Sequence, residues 1–511
     1  MEVHGLVCRF AKLLAPLLLF GLPAPAAAQG GECPAIVSNL SLPHARIISV
    51  EVIPGGTRWA LPASPFNIFL GPNASTEARF CRIVGVIERE IGFELWLPPH
   101  WNQRFLGVGN GGYTGAINYP ALIGGVARGF ATASTDTGHV TLDSFFDSRW
   151  IPGHPDRVEN FGRRGHHLLA LTAKRIIRAY YGQNPSFSYY EGCSSGGWQG
   201  LTEAQQFPTD YDGIVAGAPA NNFVRLQTRG FWLDALHRRD PAGDLGPPQT
   251  ALINAAALAM CDAADGVRDG IQSDPLHCGF DPAALLCRPD QRESCLTQAQ
   301  VDRSHLIYGP VRSPGGLLLY PGNAYGVTPF MALPPGAMQG DLPILQVSEG
   351  WRHWTPETFD PDRDIPALEA RLGGVLGAWN PDLSAFRAHG GKLLSWHGWA
   401  DPLLSPYNSI AYRDAVVARM GPGTDGFYRL FMAPGVEHCG GGAGPGRFDL
   451  LGALIAWREQ GHAPESLVAS GSLPGGGTRT RLLCPHPQVA RYNGSGSSDD
   501  AASYRCVAPG A

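Results

Sequence analysis

A glycine-flanked serine is the residue of this chain whose surroundings most favour covalent chemistry. Ser194 lies in Gly192-Cys193-Ser194-Ser195-Gly196, a Gly-x-Ser-x-Gly turn of the kind that presents a nucleophilic serine between a strand and a helix. A serine hydroxyl becomes a nucleophile only when a base takes its proton and an acid holds that base in place. The chemistry to expect is acyl transfer, and it requires two further residues.

An aspartate and a histidine follow Ser194 in the order that this chemistry uses in α/β proteins. Asp401 comes shortly after the apolar run 392–396, and His438 comes after a second apolar run, 427–432, in a glycine-rich loop. Both positions predict the carboxyl end of a strand. We therefore predict Ser194 as nucleophile, His438 as base and Asp401 as the acid that orients the base.

Four other histidines compete with His438 for the role of the base. His166 and His167 open a predicted helix, which favours a structural role. His139 and His397 could line the pocket, but both precede Asp401 in the chain.

The oxyanion of the tetrahedral intermediate needs two backbone N–H donors. Ser195, the residue after the nucleophile, is predicted to supply one. The glycine-rich loop 109–113 follows the predicted strand 104–108 and is predicted to supply the other, from Gly112 or, as the alternative, from Gly111. These glycines could instead form a turn and nothing more.

Strand-like and helical patterns alternate around these residues. The predicted strands cover the apolar or β-branched runs 83–97, 104–108, 129–135, 187–190, 392–396 and 427–432, and the predicted helices cover 165–181, 197–206, 409–420 and 448–460. The alternation predicts an α/β fold with a parallel sheet and with ligands at the carboxyl ends of its strands.

The alternation of strand and helix patterns is absent from residues 221–389, a stretch rich in proline and glycine. With 511 residues, the chain is longer than one hydrophobic core usually organises. We predict a large lid insertion, 221–389, between two parts of a catalytic domain, 29–220 and 390–511. The hydrophobic content of 44% argues against disorder, and a net charge of −5 without a basic run argues against nucleic acid as a partner. The sequence does not indicate an oligomeric state.

The N-terminus predicts export. Arg9 and Lys12 precede the short apolar run 13–22, and small residues at 26–28 suit cleavage, so residues 1–28 are predicted to be a signal peptide. The run is short for a membrane span, and we expect no membrane association after cleavage. Loss of Cys8 with the signal would leave ten of the eleven cysteines, an even number that predicts disulfides in a periplasmic or secreted protein.

Three segments together carry a family resemblance: 192–197, 391–409 around Asp401, and 433–439 with His438. They resemble the tannase and feruloyl esterase family of serine esterases, which includes an enzyme that hydrolyses mono(2-hydroxyethyl) terephthalate. The resemblance runs from about Cys33 to Cys506. It implies an α/β-hydrolase fold and the triad Ser194, Asp401 and His438. The chain differs from the terephthalate-ester enzyme at Ser195, which is not acidic, and in an insertion that is shorter, and both differences weaken the prediction of that particular substrate.

The resemblance also implies five disulfides. They are Cys33–Cys81, Cys193–Cys439, Cys261–Cys278, Cys287–Cys295 and Cys484–Cys506. The second pair agrees with reasoning from the residues, because cysteines adjacent to a hydrogen-bonded Ser194 and His438 would lie within bridging distance. This bridge could fix the geometry of the serine and the histidine, or it could only stabilise an exported protein.

An acidic segment, 261–271, forms a second motif. Asp262, Asp265 and Asp269 place three carboxylates within eight residues, which suits a hard cation such as calcium, although the spacing is not that of an EF-hand. The resemblance implies these three side chains and the carbonyls of Val267 and Ile271 as ligands of a structural Ca²⁺ in the lid. The alternative is a solvated acidic turn.

The substrate is the least constrained prediction. Trp351 and Arg352 lie in an aromatic and basic cluster of the insertion and could bind an aromatic acyl group and its second carboxylate or phenol, or could only pack within the lid. We predict an exported serine esterase that acts on small esters of aromatic acids, such as feruloyl, galloyl or terephthalate half-esters. The alternatives are a serine peptidase and a catalytically inactive, calcium-dependent binding module.

Overall fold

The structure is a computed structural model that describes Cys33 and residues 40–142, 144–327, 358–473 and 475–509. The predicted signal peptide and the predicted substrate-binding residues Trp351 and Arg352 lie outside the described residues. The strands are β1 Ala45–Ile53, β2 Trp59–Ala60, β3 Ser75–Thr76, β4 Phe80–Ile87, β5 Ile91–Leu97, β6 Arg104–Val108, β7 Ala131–Thr135, β8 Phe187–Cys193, β9 Gly213–Gly217, β10 Val311–Arg312, β11 Leu318–Tyr320, β12 Lys392–Gly398, β13 Tyr428–Ala433, β14 Leu467–Ser472, β15 Thr478–Leu483, β16 Val489–Tyr492 and β17 Tyr504–Val507. The α-helices are α1 Tyr119–Ala127, α2 Pro155–Glu159, α3 Gly165–Tyr181, α4 Ser195–Gln206, α5 Phe223–Arg239, α6 Pro247–Cys261, α7 Gln298–Tyr308, α8 Pro361–Leu372, α9 Ser384–Ala388, α10 Pro406–Met420 and α11 Leu450–Gln460.

A nine-stranded sheet, in the order β1-β4-β5-β7-β6-β8-β9-β12-β13, forms the centre of the fold. The pairs from β7 to β13 are parallel, and β1, β4 and β5 are joined antiparallel at one edge. Because β6, β8, β12 and β13 run in the same direction, the loops that follow them meet at one edge of the sheet. The predicted oxyanion loop, serine, aspartate and histidine follow these four strands in that order.

The periodicity of the sequence located most of these elements. The predicted strand 104–108 and helix 165–181 have the bounds of β6 and α3. The predicted strand run 83–97 is instead an antiparallel hairpin, β4–β5, because Glu88 adopts a left-handed conformation with φ 52° and turns the chain back. The prediction of an α/β fold is confirmed.

Two hydrophobic cores cover the two faces of the sheet. One core packs α1 and α11 against one face, with Leu122 and Leu454 fully buried. The other packs α3 and α4 against the opposite face, and it continues into the insertion through Phe223 of α5. Trp198 of α4 joins the two parts, since its ring lies 5.3 Å from that of Phe161 and 5.1 Å from that of Phe223. The insertion therefore shares a core with the sheet.

Within the described ranges, no helix has both the length and the apolar character that crossing a bilayer requires. The described residues form five disulfides: Cys33–Cys81, Cys193–Cys439, Cys261–Cys278, Cys287–Cys295 and Cys484–Cys506. These are the pairs that the family resemblance implies. Disulfides of this number are typical of proteins from oxidising compartments.

Candidate active site

Ser194 occupies a strained turn between β8 and α4. Its φ of 63° and ψ of −125° lie outside the regions that L-residues normally adopt. The turn is also tight: a Cβ on Gly192 would lie 2.5 Å from the backbone of Gly196, and a Cβ on Gly196 would lie 2.7 Å from the carbonyl oxygen of Asn110. The glycines on both sides of the serine are therefore required by close backbone contact, and the strain presents the Ser194 side chain at the edge of the sheet.

A continuous chain of hydrogen bonds joins the serine to the predicted histidine and aspartate. His438 Nε2 lies 2.9 Å from Ser194 Oγ, and His438 Nδ1 lies 2.7 Å from Asp401 Oδ2. The three residues come from positions 194, 401 and 438, and the parallel strands β8, β12 and β13 bring them together. These distances are the ones that a nucleophile, a base and an orienting acid require.

Asp401 is buried and held as an anion. Its Oδ1 accepts hydrogen bonds from the amides of Leu403 and Leu404, at 2.8 and 2.9 Å. Burial raises the pKa of this carboxyl, but hydrogen bonds from His397 and His438 outweigh burial and hold the pKa well below its usual range. A charged Asp401 is the form that can stabilise a protonated His438.

The competing histidines have other partners. The His139 ring stacks on that of Trp150 with centroids 3.7 Å apart, its Nε2 lies 2.9 Å from the carbonyl oxygen of Tyr113, and burial lowers its pKa to about 4. His166 is buried against Asn110, with Nε2 and Oδ1 2.8 Å apart, and burial lowers its pKa to about 3. His139 and His166 therefore each lie within hydrogen-bond distance of a residue of the glycine-rich loop 109–113, Tyr113 and Asn110 respectively.

His397, which the sequence allows as a residue lining the pocket, is fully buried, and its Nε2 lies 3.0 Å from Asp401 Oδ2. The sequence predicts no contact between this histidine and Asp401, although His397 lies near the end of β12 and only four residues before Asp401.

The loop that follows β6 lies directly against the start of α4. The Ser195 hydroxyl donates a hydrogen bond to the carbonyl oxygen of Gly112 at 2.7 Å. Gly112 has φ +56°, and a Cβ there would lie 2.1 Å from the carbonyl oxygen of Phe145. As the first residue of α4, Ser195 has a backbone N–H without an intrahelical acceptor. The structure thus brings together the two predicted donors, while the choice between Gly111 and Gly112 stays a prediction.

The disulfide Cys193–Cys439 joins the residue before Ser194 to the residue after His438. The two Cα atoms lie 5.9 Å apart, within the usual range for a bridge. Cys439 has φ 59°, so both ends of the bridge adjoin a left-handed backbone conformation. The bridge connects the loops that carry Ser194 and His438.

The acidic segment packs against the C-terminal strands. Asp262 accepts hydrogen bonds from the backbone amides of residues 269 and 270. Asp269 pairs with Arg481, whose side chain is 1% exposed, and lies 3.8 Å from Arg479. Asp265 lies 3.7 Å from the same Arg481 guanidinium.

These contacts bear on the predicted calcium site. Asp262, Asp265 and Asp269 share one loop, but in this conformation arginines neutralise the last two. No group of three or more His, Cys, Asp or Glu side chains in the described part of the chain is arranged to hold a metal ion. The side chains as placed do not form a metal cage, and calcium binding stays a prediction.

Nearly the whole chain is similar to known esterases. The family described as tannase and feruloyl esterase matches residues 76–331 and 355–507. An uncharacterised esterase of Xanthomonas campestris pv. campestris is 34% identical, over 97% of this chain and 94% of the relative. A probable feruloyl esterase B-2 of Aspergillus oryzae is 32% identical, over 97% of this chain and 99% of the relative.

A solved structure gives the same result for the fold. The crystal structure of feruloyl esterase B from Aspergillus oryzae superposes with a TM-score of 0.81 at 29% identity, over 93% of this chain and 99% of that one. The predicted α/β-hydrolase fold is confirmed by this likeness together with the sheet topology. The chain therefore belongs to the tannase and feruloyl esterase family and is a carboxylic ester hydrolase of that type.

Proposed function

We propose that the chain is an exported serine esterase that hydrolyses carboxylic esters of aromatic acids through Ser194, His438 and Asp401. The observation that carries the proposal is the hydrogen-bond chain from Ser194 Oγ to His438 Nε2 and from His438 Nδ1 to Asp401 Oδ2, at 2.9 and 2.7 Å. The strained backbone of Ser194 supports the same role, because strain of this kind concentrates at functional sites.

In the first half of the proposed reaction, Ser194 Oγ attacks the ester carbonyl carbon while His438 Nε2 takes the hydroxyl proton. The carbonyl oxygen becomes an oxyanion, and the backbone N–H groups of Ser195 and Gly112 stabilise it. Asp401 stabilises the protonated His438. The C–O bond to the alcohol then breaks, and His438 returns the proton to the departing oxygen.

In the second half, water releases the acyl group from Ser194. His438 Nε2 takes a proton from the water as its oxygen attacks the acyl carbon, and a second oxyanion forms in the same place. Collapse of this intermediate breaks the bond to Ser194 Oγ, which recovers its proton from His438. The products are a carboxylic acid and an alcohol.

The proposed substrates are feruloyl, galloyl and terephthalate half-esters. The names of the relatives support an aromatic acid, since three relatives at 30–34% identity over nearly the whole chain are named probable feruloyl esterases. Export is supported by the five disulfides and by the N-terminal sequence, although residues 1–28 lie outside the described ranges.

A panel of methyl ferulate, methyl gallate and mono(2-hydroxyethyl) terephthalate tests the proposed substrate class. We expect kcat/KM for at least one of them to exceed that for an acetyl ester of the same alcohol. Ser194→Ala is expected to abolish all activity above background, while Ser186→Ala, at an exposed serine directly before β8, serves as the matched control. Preference for the acetyl ester throughout would contradict an aromatic acyl site, and undiminished activity of Ser194→Ala would contradict the nucleophile.

We further propose a structural calcium ion at the acidic segment, held by Asp262, Asp265, Asp269 and the carbonyls of Val267 and Ile271. The concentration of three carboxylates in one loop supports it. Binding to the folded state alone would stabilise that state, so EDTA is expected to lower Tm by several degrees and excess CaCl₂ to restore it, with one calcium found per chain by elemental analysis. An unchanged Tm together with no bound calcium would contradict the proposed ion, and the arginines that pair with Asp265 and Asp269 would then balance the charge of these two carboxylates.

A further inference from the structure

Asp401 has a second histidine partner that the proposed mechanism does not use. His397, near the end of β12, has a fully buried side chain. Its Nε2 lies 3.0 Å from Asp401 Oδ2 and 3.2 Å from the carbonyl oxygen of Leu404, and its Nδ1 lies 2.8 Å from Ser409 Oγ on α10. The imidazole therefore spans the distance between the proposed acid and a neighbouring helix.

The contacts of His397 assign its tautomer. Nε2 faces two oxygens that can only accept, the ionised Asp401 carboxylate and the Leu404 carbonyl, so Nε2 must carry a proton. In the neutral ring, Nδ1 then accepts the hydrogen bond of the Ser409 hydroxyl. The two acceptors at Nε2 thus fix the tautomer in which His397 donates to Asp401, and the Ser409 hydroxyl is compatible with it as the donor to Nδ1.

With this donor, every acceptor position of Asp401 is filled. A carboxylate has about four lone-pair sites. Oδ1 receives two backbone amides, at 2.8 and 2.9 Å, and Oδ2 receives His438 Nδ1–H and His397 Nε2–H, at 2.7 and 3.0 Å. Because four donors surround its two oxygens, the Asp401 carboxylate is held in one orientation, in which Oδ2 faces His438.

We infer that His397 is a positioning residue of the esterase reaction, whose Nε2–H holds Asp401 Oδ2 in line with His438 and shares the charge of the carboxylate. This inference rests on the proposed function. The other titratable groups near the pair are the Tyr320 hydroxyl, which accepts a hydrogen bond from the amide of Ser405 at 3.3 Å, and Arg229, whose guanidinium lies 4.7 Å from the Tyr320 ring centroid. Neither takes the position of the His397 proton on Oδ2.

Two amide substitutions separate positioning from packing. His397→Gln places an N–H donor near the position of Nε2, whereas His397→Asn reaches only to the position of Nδ1 and leaves Asp401 without its fourth donor. We expect kcat/KM of His397→Asn to fall by about 10- to 100-fold, the effect of one unfilled buried charged acceptor, through kcat with KM changed by less than about twofold. His397→Gln is expected to recover most of that loss, and the exposed His389→Asn serves as the control that leaves activity unchanged.

The pH profile gives a readout that lost packing alone would not move. A carboxylate with one donor fewer attracts the protonated His438 more strongly, so the acid limb of kcat/KM is expected to move to higher pH in His397→Asn and to return in His397→Gln. Equal kcat/KM and equal pH profiles of the two variants, at equal melting temperatures, would overturn the inference.

The rate of covalent labelling by a fluorophosphonate separates this inference from the proposed function. The wild type is expected to label at Ser194, and His397→Asn to label more slowly than His397→Gln. A wild type that does not label at Ser194 would refute the proposed function and the role of His397 with it. A wild type that labels, with His397→Asn labelling equally fast, would refute only the role of His397.

Discussion

At the scale of single residues, Gly112 combines two constraints that only glycine meets. Its φ is +56°, and a Cβ would lie 2.1 Å from the carbonyl oxygen of Phe145. Gly112→Ala must therefore displace the loop that supplies a proposed oxyanion donor. We expect kcat to fall by about 100-fold or more, the usual effect of removing such a donor, as measured with a soluble ester.

Gly124→Ala is the matched control for this prediction. Gly124 lies in α1, and a Cβ there would meet no atom within 4 Å. Because alanine favours a helix, we expect this variant to keep its activity and to gain about 0.5–1 kcal/mol in the free energy of unfolding. An active Gly112→Ala enzyme would argue that the oxyanion donor lies elsewhere in the loop, with Gly111 as the next candidate.

Single residues also mark the limit of what the sequence predicted about the site. The proximity of Ser194, Asp401 and His438 could be predicted because each follows an apolar strand in the required order. The contact of His397 with Asp401 could not be predicted in this way. It depends on how the turn after β12 folds back, and the continuous buried run of β12 does not encode that turn. The buried pairing of Asp269 with Arg481 joins residues 212 positions apart, which no local pattern indicates.

At the scale of elements, the Cys193–Cys439 bridge joins the turn after β8 to the loop after β13. Its cysteines are 246 positions apart, and in the chain-entropy model such a loop contributes about 5 kcal/mol to stability. Cys193→Ser/Cys439→Ser is therefore expected to lower Tm. At a temperature where this variant is still folded, its kcat/KM is expected to fall by more than about tenfold, because small displacements of a nucleophile from its base slow the reaction strongly.

The bridge Cys287–Cys295 provides the comparison, since its cysteines are only 8 positions apart and it belongs to the insertion. The chain-entropy model gives it about 2–3 kcal/mol, so Cys287→Ser/Cys295→Ser should lower Tm less and leave kcat/KM unchanged. Full activity of the folded Cys193→Ser/Cys439→Ser variant would show that the first bridge stabilises the protein without positioning the serine and the histidine.

The elements themselves were predicted where their pattern is long and regular. The 17-residue helix α3 was located with its bounds because an apolar face repeats along it. The strand β9, Gly213–Gly217, has only five residues and a glycine at each end, so no strand was predicted there although all five residues are buried. The predicted start of α10 at residue 409 missed its first turn, which begins at Pro406 and is capped by the side chain of Ser405 rather than marked by the apolar pattern.

At the scale of the whole molecule, the insertion and the sheet share one core. The sequence predicted an insertion over 221–389 from the loss of alternation, and those boundaries stay a prediction. It could not predict the contact of Phe223 with Trp198, because core packing joins residues far apart in the chain. The predicted roles of Trp351 and Arg352 fall on residues 328–357, which lie outside the described residues.

Acid is expected to lower the global stability through buried histidines such as His139. Burial lowers the pKa of folded His139 to about 4, against 6.5 for the ordinary value. Between these values the unfolded chain binds the extra proton, so this contribution to stability is present above pH 6.5 and is lost as the pH falls toward 4. The slope is at most about 1.4 kcal/mol per pH unit.

His139→Gln isolates this group from the other titrating groups, because glutamine can still donate to the carbonyl of Tyr113. The free energies of unfolding of the wild type and of His139→Gln, measured by denaturant titration from pH 7 to pH 4.5, should converge as the pH falls. A constant difference across that range would mean that His139 does not titrate as its burial implies.

The central claim, that His438 and Asp401 activate Ser194, is tested most directly by the mass of the protein after reaction with a fluorophosphonate. One adduct per chain is expected, located at Ser194 by peptide mapping, with no adduct in Ser194→Ala and a much slower reaction in His438→Ala. An adduct at another residue, or a Ser194→Ala protein that labels as fast as the wild type, would contradict the account.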